Sequence, residues 1–77
     1  GKAVSLTSKE FRILQALLAT PGRVLSRESI LKKVWGEGTY VIDRTVDVHI
    51  AKLRQKIPFL SEAIETVKDV GYRLRES

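Results

Sequence analysis

The sequence contains no cysteine, so no disulfide staples the fold and no thiolate can hold a metal. Stability must come from packing, which suits a cytosolic protein. A single histidine, His49, cannot build a zinc site unaided, and no cofactor or metal is expected. Apolar runs are only a few residues long, far short of the roughly 20 residues of a bilayer-spanning helix. No signal-peptide pattern opens the chain, and a cytoplasmic protein without membrane contact is expected. Aromatics are scarce, with 1 Trp, 2 Tyr and 2 Phe, and form no stacking array of the kind that single-strand RNA readers use. Acidic residues are in the minority: 9 Asp and Glu face 14 Lys and Arg, giving a net charge of +5 and a pI near 9.9. That balance favours polyanionic partners, although many non-binding domains are equally basic. At 77 residues the chain reads as one domain, near the size where only about 60% of the unfolded surface is buried, too small for a large catalytic cavity.

Ala3 to Leu6 has the alternation of a short strand. Thr7-Ser8-Lys9-Glu10 matches a capping box, in which the Thr7 hydroxyl and the Glu10 carboxylate each satisfy a backbone N–H at a helix start. Phe11, Leu14, Leu17 and Leu18 supply an apolar face to this first helix, and Thr20-Pro21-Gly22 ends it. Arg23-Val24-Leu25 reads as an extended link. Ser26 caps a second helix running through Ile30, Leu31, Val34 and Trp35 to a stop at Gly36. The loop Gly36 to Ile42 is longer than the 3 to 4 residues of a compact helix-turn-helix. Asp43 is expected to cap the third helix and Pro58 to close it. After a link from Pro58 to Ala63, Ile64 to Lys68 and Tyr72 to Leu74 form a hairpin, with Gly71 expected at a positive φ.

The third helix carries two unlike faces. At about 100° per residue, Val46, Ile50, Leu53 and Ile57 share one apolar stripe, the face that packs. Arg44, Thr45, Val48, Ala51, Lys52 and Gln55 gather opposite. Cationic groups bind guanine edges or phosphates, threonine bonds either, and a small apolar side chain such as Val48 can touch a thymine methyl. Two readings are open for this face: a surface that reads a DNA groove, and the solvated back of a packed helix.

Catalytic arrangements are missing. Asp43 and Asp47 lie one turn apart near His49, but two carboxylates at a helix start ordinarily serve the cap and the dipole. Gly36-Glu37-Gly38 lacks the third glycine of a dinucleotide fingerprint, since position 41 is Val41. No Ser, His and acid set can be assigned from spacing, so the chain is not read as an enzyme.

Taken in order, the motifs Leu6-Thr7-Ser8-Lys9-Glu10-Phe11, Pro21-Gly22-Arg23-Val24, Ser26-Arg27-Glu28, Val34-Trp35-Gly36, Asp43-Arg44-Thr45-Val46-Asp47-Val48-His49-Ile50 and Gly71-Tyr72-Arg73 cover nearly the whole chain. Together they resemble the winged-helix effector domain of bacterial response regulators of the OmpR/PhoB type. The resemblance implies an α+β winged helix-turn-helix: three helices, a C-terminal β-hairpin wing and a remnant N-terminal strand. It also implies that the receiver domain and most of an N-terminal sheet lie outside residues 1–77. The implied function is sequence-specific binding of double-stranded DNA for transcription regulation, with the third helix in the major groove and the hairpin in the minor groove. The alternative is a winged helix that binds protein and has an incidental basic face.

By that resemblance, Thr45, Val48, Ala51 and Lys52 face bases. Arg27, Trp35, Arg44, His49, Arg54, Tyr72 and Arg73 are placed at phosphates, and Lys68 serves the wing. Each carries an alternative: the arginines as ion-pair members with Glu28, Asp43 or Asp47, Trp35 as a core aromatic, and Lys52 as a phosphate contact. The loop bearing Glu37, Tyr40 and Val41 is implied to touch RNA polymerase, with inward packing of Tyr40 and Val41 as its alternative. Two copies on promoter half-sites, a homodimer on DNA, are expected. This chain departs from the family at Ala51, where a basic residue is usual, and at Lys68-Asp69, where arginine followed by glycine is usual.

Overall fold

The computed structural model describes residues 5–36, 38 and 41–75. Four helices and a small sheet follow one another: α1 (Ser8–Ala19), β1 (Leu25–Ser26), α2 (Arg27–Trp35), α3 (Asp43–Lys56), α4 (Phe59–Ala63), β2 (Ile64–Val67) and β3 (Gly71–Leu74). The strands lie in the order β1-β3-β2, all antiparallel. Three helices and a hairpin are therefore present as expected, with two additions. The extended link becomes an edge strand against β3, and the stretch after Pro58 makes a short helix. Of the N-terminal strand, residues 1–4 lie outside the described residues, and Ser5 and Leu6 join no strand.

The capping box forms. Thr7 Oγ1 accepts from the Glu10 amide at 3.2 Å and Glu10 Oε1 accepts from the Thr7 amide at 2.9 Å. The apolar face of α1 is rotated from the expected one: Glu10, Ile13 and Leu17 are buried, whereas Phe11 and Leu18 are 53% and 55% exposed. Glu10 tolerates burial because Lys56, from the end of α3, reaches the same Oε1 at 2.6 Å. The stripe of α3 behaves as its periodicity dictates, with Val46, Ile50 and Leu53 fully enclosed and Ile57 packed at the margin. They meet Ile13 and Leu17 of α1 and Ile30, Leu31 and Val34 of α2 in one core, which Leu60, Ile64, Tyr72 and Leu74 close from the hairpin side.

Two local expectations are corrected. Asp43 is the first residue of α3 and not its cap; that position belongs to Ile42, which makes no side-chain cap bond. Asp43 still sets a carboxylate at the positive helix end. The left-handed residue of the hairpin turn is Asp69, at φ 64°, a conformation that short polar side chains tolerate. Gly71 is required for space instead: a Cβ there would fall 2.0 Å from the Leu25 carbonyl oxygen across the β1–β3 pairing.

Candidate nucleic-acid interface

Because α3 buries one face completely, its other face is fixed in direction. Arg44, Val48, Ala51, Lys52 and Gln55 are all exposed on it. Among the described residues no acid lies within ion-pair distance of Arg44 or Lys52, or of Lys68 at the hairpin tip. Arg44 and Lys52 are thus held out toward solvent by a helix packed on its other face, and Lys68 by the hairpin turn. Thr45 sits half-buried at the margin of the same face.

Other candidates are engaged within the protein. Arg27, at the start of α2, places Nε 3.0 Å from Asp47 Oδ1 of α3, which realises the ion-pair alternative. The N–H is not aligned for a hydrogen bond, so the contact is one of charge. The same Oδ1 accepts the Tyr72 hydroxyl at 2.5 Å, and Tyr72 is only 5% exposed. Burial first, and then the hydrogen bond to the Asp47 carboxylate, push the Tyr72 phenol above its ordinary value. Arg54 lies with its guanidinium 5.8 Å from the Tyr72 ring centre and donates through Nη2 to the Ile64 carbonyl at 2.7 Å and to Thr66 Oγ1 at 3.0 Å. Arg73 donates to Glu65, its partner in the β2–β3 register, at 3.2 Å. Asp47, Tyr72 and Arg54 form a polar seam that locks α3 to the wing, and the Arg27–Asp47 pair extends it to α2.

A second seam joins the helix pair. His49 Nδ1 lies 2.8 Å from the Thr45 carbonyl oxygen, so this nitrogen carries the proton and donates. Its ring meets the half-buried Trp35 edge-on, with centres 5.0 Å apart and planes at 85°. Lys9 closes the stack from α1, its ammonium 5.5 Å from the indole centre and donating to the Val34 carbonyl at 3.3 Å. Between the helix and the start of α2, a shallow hollow of about 440 Å³ is lined by Arg27, Arg44, Asp47, Val48 and Ala51. Of the loop residues, Glu37 and Tyr40 lie outside the described residues, while Val41 packs against the core.

Sequence reasoning offered Asp47 as a dipole partner and as an ion-pair partner for an arginine, but missed its bond to Tyr72, because nothing local signals a tyrosine arriving 25 positions later. The Glu65–Arg73 pair was equally hidden, because the hairpin alternates imperfectly; only its register shows the two opposite one another.

Two packed helices, the second with a cationic outward face beside an antiparallel hairpin, define a winged helix-turn-helix domain. The chain belongs to the family described as "Transcriptional regulatory protein, C terminal", whose model matches residues 1–74, the effector domain of OmpR/PhoB-type response regulators. Among curated relatives, the phosphate regulon transcriptional regulatory protein PhoB of Rhizobium meliloti is 45% identical over 76 residues, covering 96% of this chain and 34% of the relative. The chain spans about a third of the length of such relatives. The DNA-binding domain of Bacillus subtilis CssR superposes with a TM-score of 0.87 at 43% identity, over 96% of this chain and 82% of that one. The Klebsiella pneumoniae RstA DNA-binding domain, solved in complex with the RstA box, gives a TM-score of 0.79 at 34% identity, over 97% and 77% of the two chains.

Proposed function

We propose that this domain binds duplex DNA sequence-specifically and regulates transcription as the effector end of a two-component response regulator. α3 lies in the major groove and the β2–β3 turn reaches the adjacent minor groove. The observation that carries this reading is the outward face of α3: it holds Arg44 and Lys52, which meet no acid among the described residues, on a helix whose other face is core, with Lys68 projecting from the wing. A helix of 14 residues is about 21 Å long and fits a major groove about 12 Å wide. Lys52 and Thr45 read base edges, while Arg44 and Lys68 hold phosphates. The seams through Asp47, Tyr72, Arg54, His49 and Trp35 set the angle at which α3 and the wing are presented. Arg27 and Arg73, charged but paired, add field at the rim.

The domain would act in the cytoplasm, as two copies on half-sites about one helical turn apart, with the loop before α3 offered to RNA polymerase. Fluorescence anisotropy against a mixed-sequence duplex tests the reading. Neutralising several phosphates releases their counterions, so affinity should fall steeply between low and moderate salt. A flat salt response would favour a protein-binding winged helix instead.

A further inference from the structure

The tip of the wing carries a charge that the fold does not require. The Val70 amide donates to the Val67 carbonyl at 3.0 Å, closing a four-residue turn whose third residue is Asp69, at φ 64°. Glycine or asparagine suits that position best, so the turn alone gives no reason for a carboxylate. Lys68, Asp69 and Val70 are all exposed. Lys68 and Asp69 adjoin in sequence without forming an ion pair, and among the described residues no cation lies within ion-pair distance of the Asp69 carboxylate. Other acids of α3 and the wing are offset. Asp47 lies against Arg27 and takes the Tyr72 hydroxyl, Glu65 is held by Arg73 and Arg75, and Asp43 sits at the positive end of α3. Asp69 alone stands uncompensated, at the turn of the hairpin.

We infer that Asp69 is a specificity-determining residue, one that excludes narrow A-tract minor grooves from the flank that the wing meets. The inference rests on the proposed DNA-binding function and names a sequence class which that function avoids. Minor grooves are not alike: in an A-tract the groove is narrow and its potential is most negative, which draws cationic side chains in. A tip bearing lysine alone gains from that field. Here an unpaired carboxylate follows the lysine, so the tip is close to neutral, and the carboxylate, an acceptor of the same sign as every phosphate, is repelled most where the potential is deepest. Lys68 still reaches phosphates at the edge of a groove of ordinary width, while Asp69 penalises entry into a narrow one.

The test uses the whole 77-residue chain at one salt concentration. Its best site is selected from a random duplex pool and rebuilt in two duplexes, one with A-tracts on both flanks and one with mixed sequence there. The native chain should prefer the mixed flanks. Asp69→Asn keeps the size of the side chain, tolerates the left-handed conformation and removes only the charge. It should bind the A-tract duplex about two- to fivefold more tightly than the native chain does, the scale of one exposed charge contact, and gain less on the mixed one. Asp69→Gly, which also suits the turn, should do the same. Equal gains on both duplexes, or no gain on either, overturn the inference and leave DNA binding intact. A native chain that prefers A-tract flanks overturns it as well. A gain from glycine without one from asparagine assigns the effect to the turn and not to charge, which also overturns it. Failure to enrich any duplex overturns the proposed function along with it.

Discussion

Gly71 shows how much a single residue can decide. It looked like a turn glycine, yet the left-handed φ belongs to Asp69, and Gly71 is where β1 and β3 come too close for any side chain. A Gly71→Ala variant should lose about 1–3 kcal/mol of stability as the edge strand is pushed away, read from its urea midpoint. An unchanged midpoint would mean that β1 pairs more loosely than its register implies. The functional side chains were legible as types but not as roles. The family resemblance placed Arg27, Arg54, Tyr72 and Arg73 at phosphates, with ion pairing as the alternative for the arginines, while folding engages each with a partner 8 or more positions away. Arg44, which carried the same ion-pair alternative, stands with Lys52 and Lys68 as an exposed cation that meets no acid among the described residues.

Among the elements, α2 was legible because a strong cap at Ser26, a stop at Gly36 and an apolar period coincide in it, and α3 because its apolar period is clean and Pro58 follows its end. α1 was read one face off. Its period admits Phe11 and Leu18 as readily as Ile13, and the choice is made by Glu10, a residue that no hydrophobic pattern would place inside. α4 escaped notice because five residues after a proline carry too little periodicity to register. The weakest joint lies at the start of α3, where Ile42 occupies the cap position at φ −88° and ψ 159° with no side-chain acceptor and 66% exposure. Ile42→Ser supplies the missing acceptor without emptying the core and should stabilise the domain by about 1 kcal/mol. For a domain of this size that raises Tm by roughly 4–8 °C. A lower Tm would show that Ile42 makes an apolar contact worth more than the cap.

Across the whole molecule, the buried Glu10 and the half-buried Lys56 tie the beginning of α1 to the end of α3. Burial alone would raise the Glu10 carboxyl, but hydrogen bonds from Lys56 and Thr7 outweigh it and hold the carboxyl below its ordinary 4.5. A group depressed in the folded state contributes stability above its unfolded value and loses it as pH falls through the folded one. The stability gap between the native chain and Glu10→Gln should therefore be full at neutral pH and narrow as pH drops below about 4.5. A gap that stays constant down that range would place the contribution of Glu10 in packing and not in charge.

The central claim is that the outward face of α3 reads base sequence, and Lys52 tests it most directly because it is exposed and meets no acid among the described residues. Affinities of the native chain, Lys52→Ala and Arg44→Ala are measured at one salt concentration for the selected duplex and for a scrambled one. We expect Lys52→Ala to lose about 1–3 kcal/mol of discrimination between the two duplexes, and Arg44→Ala to weaken both about equally. Equal losses from Lys52→Ala on both duplexes would make it a phosphate contact and contradict sequence reading by this face.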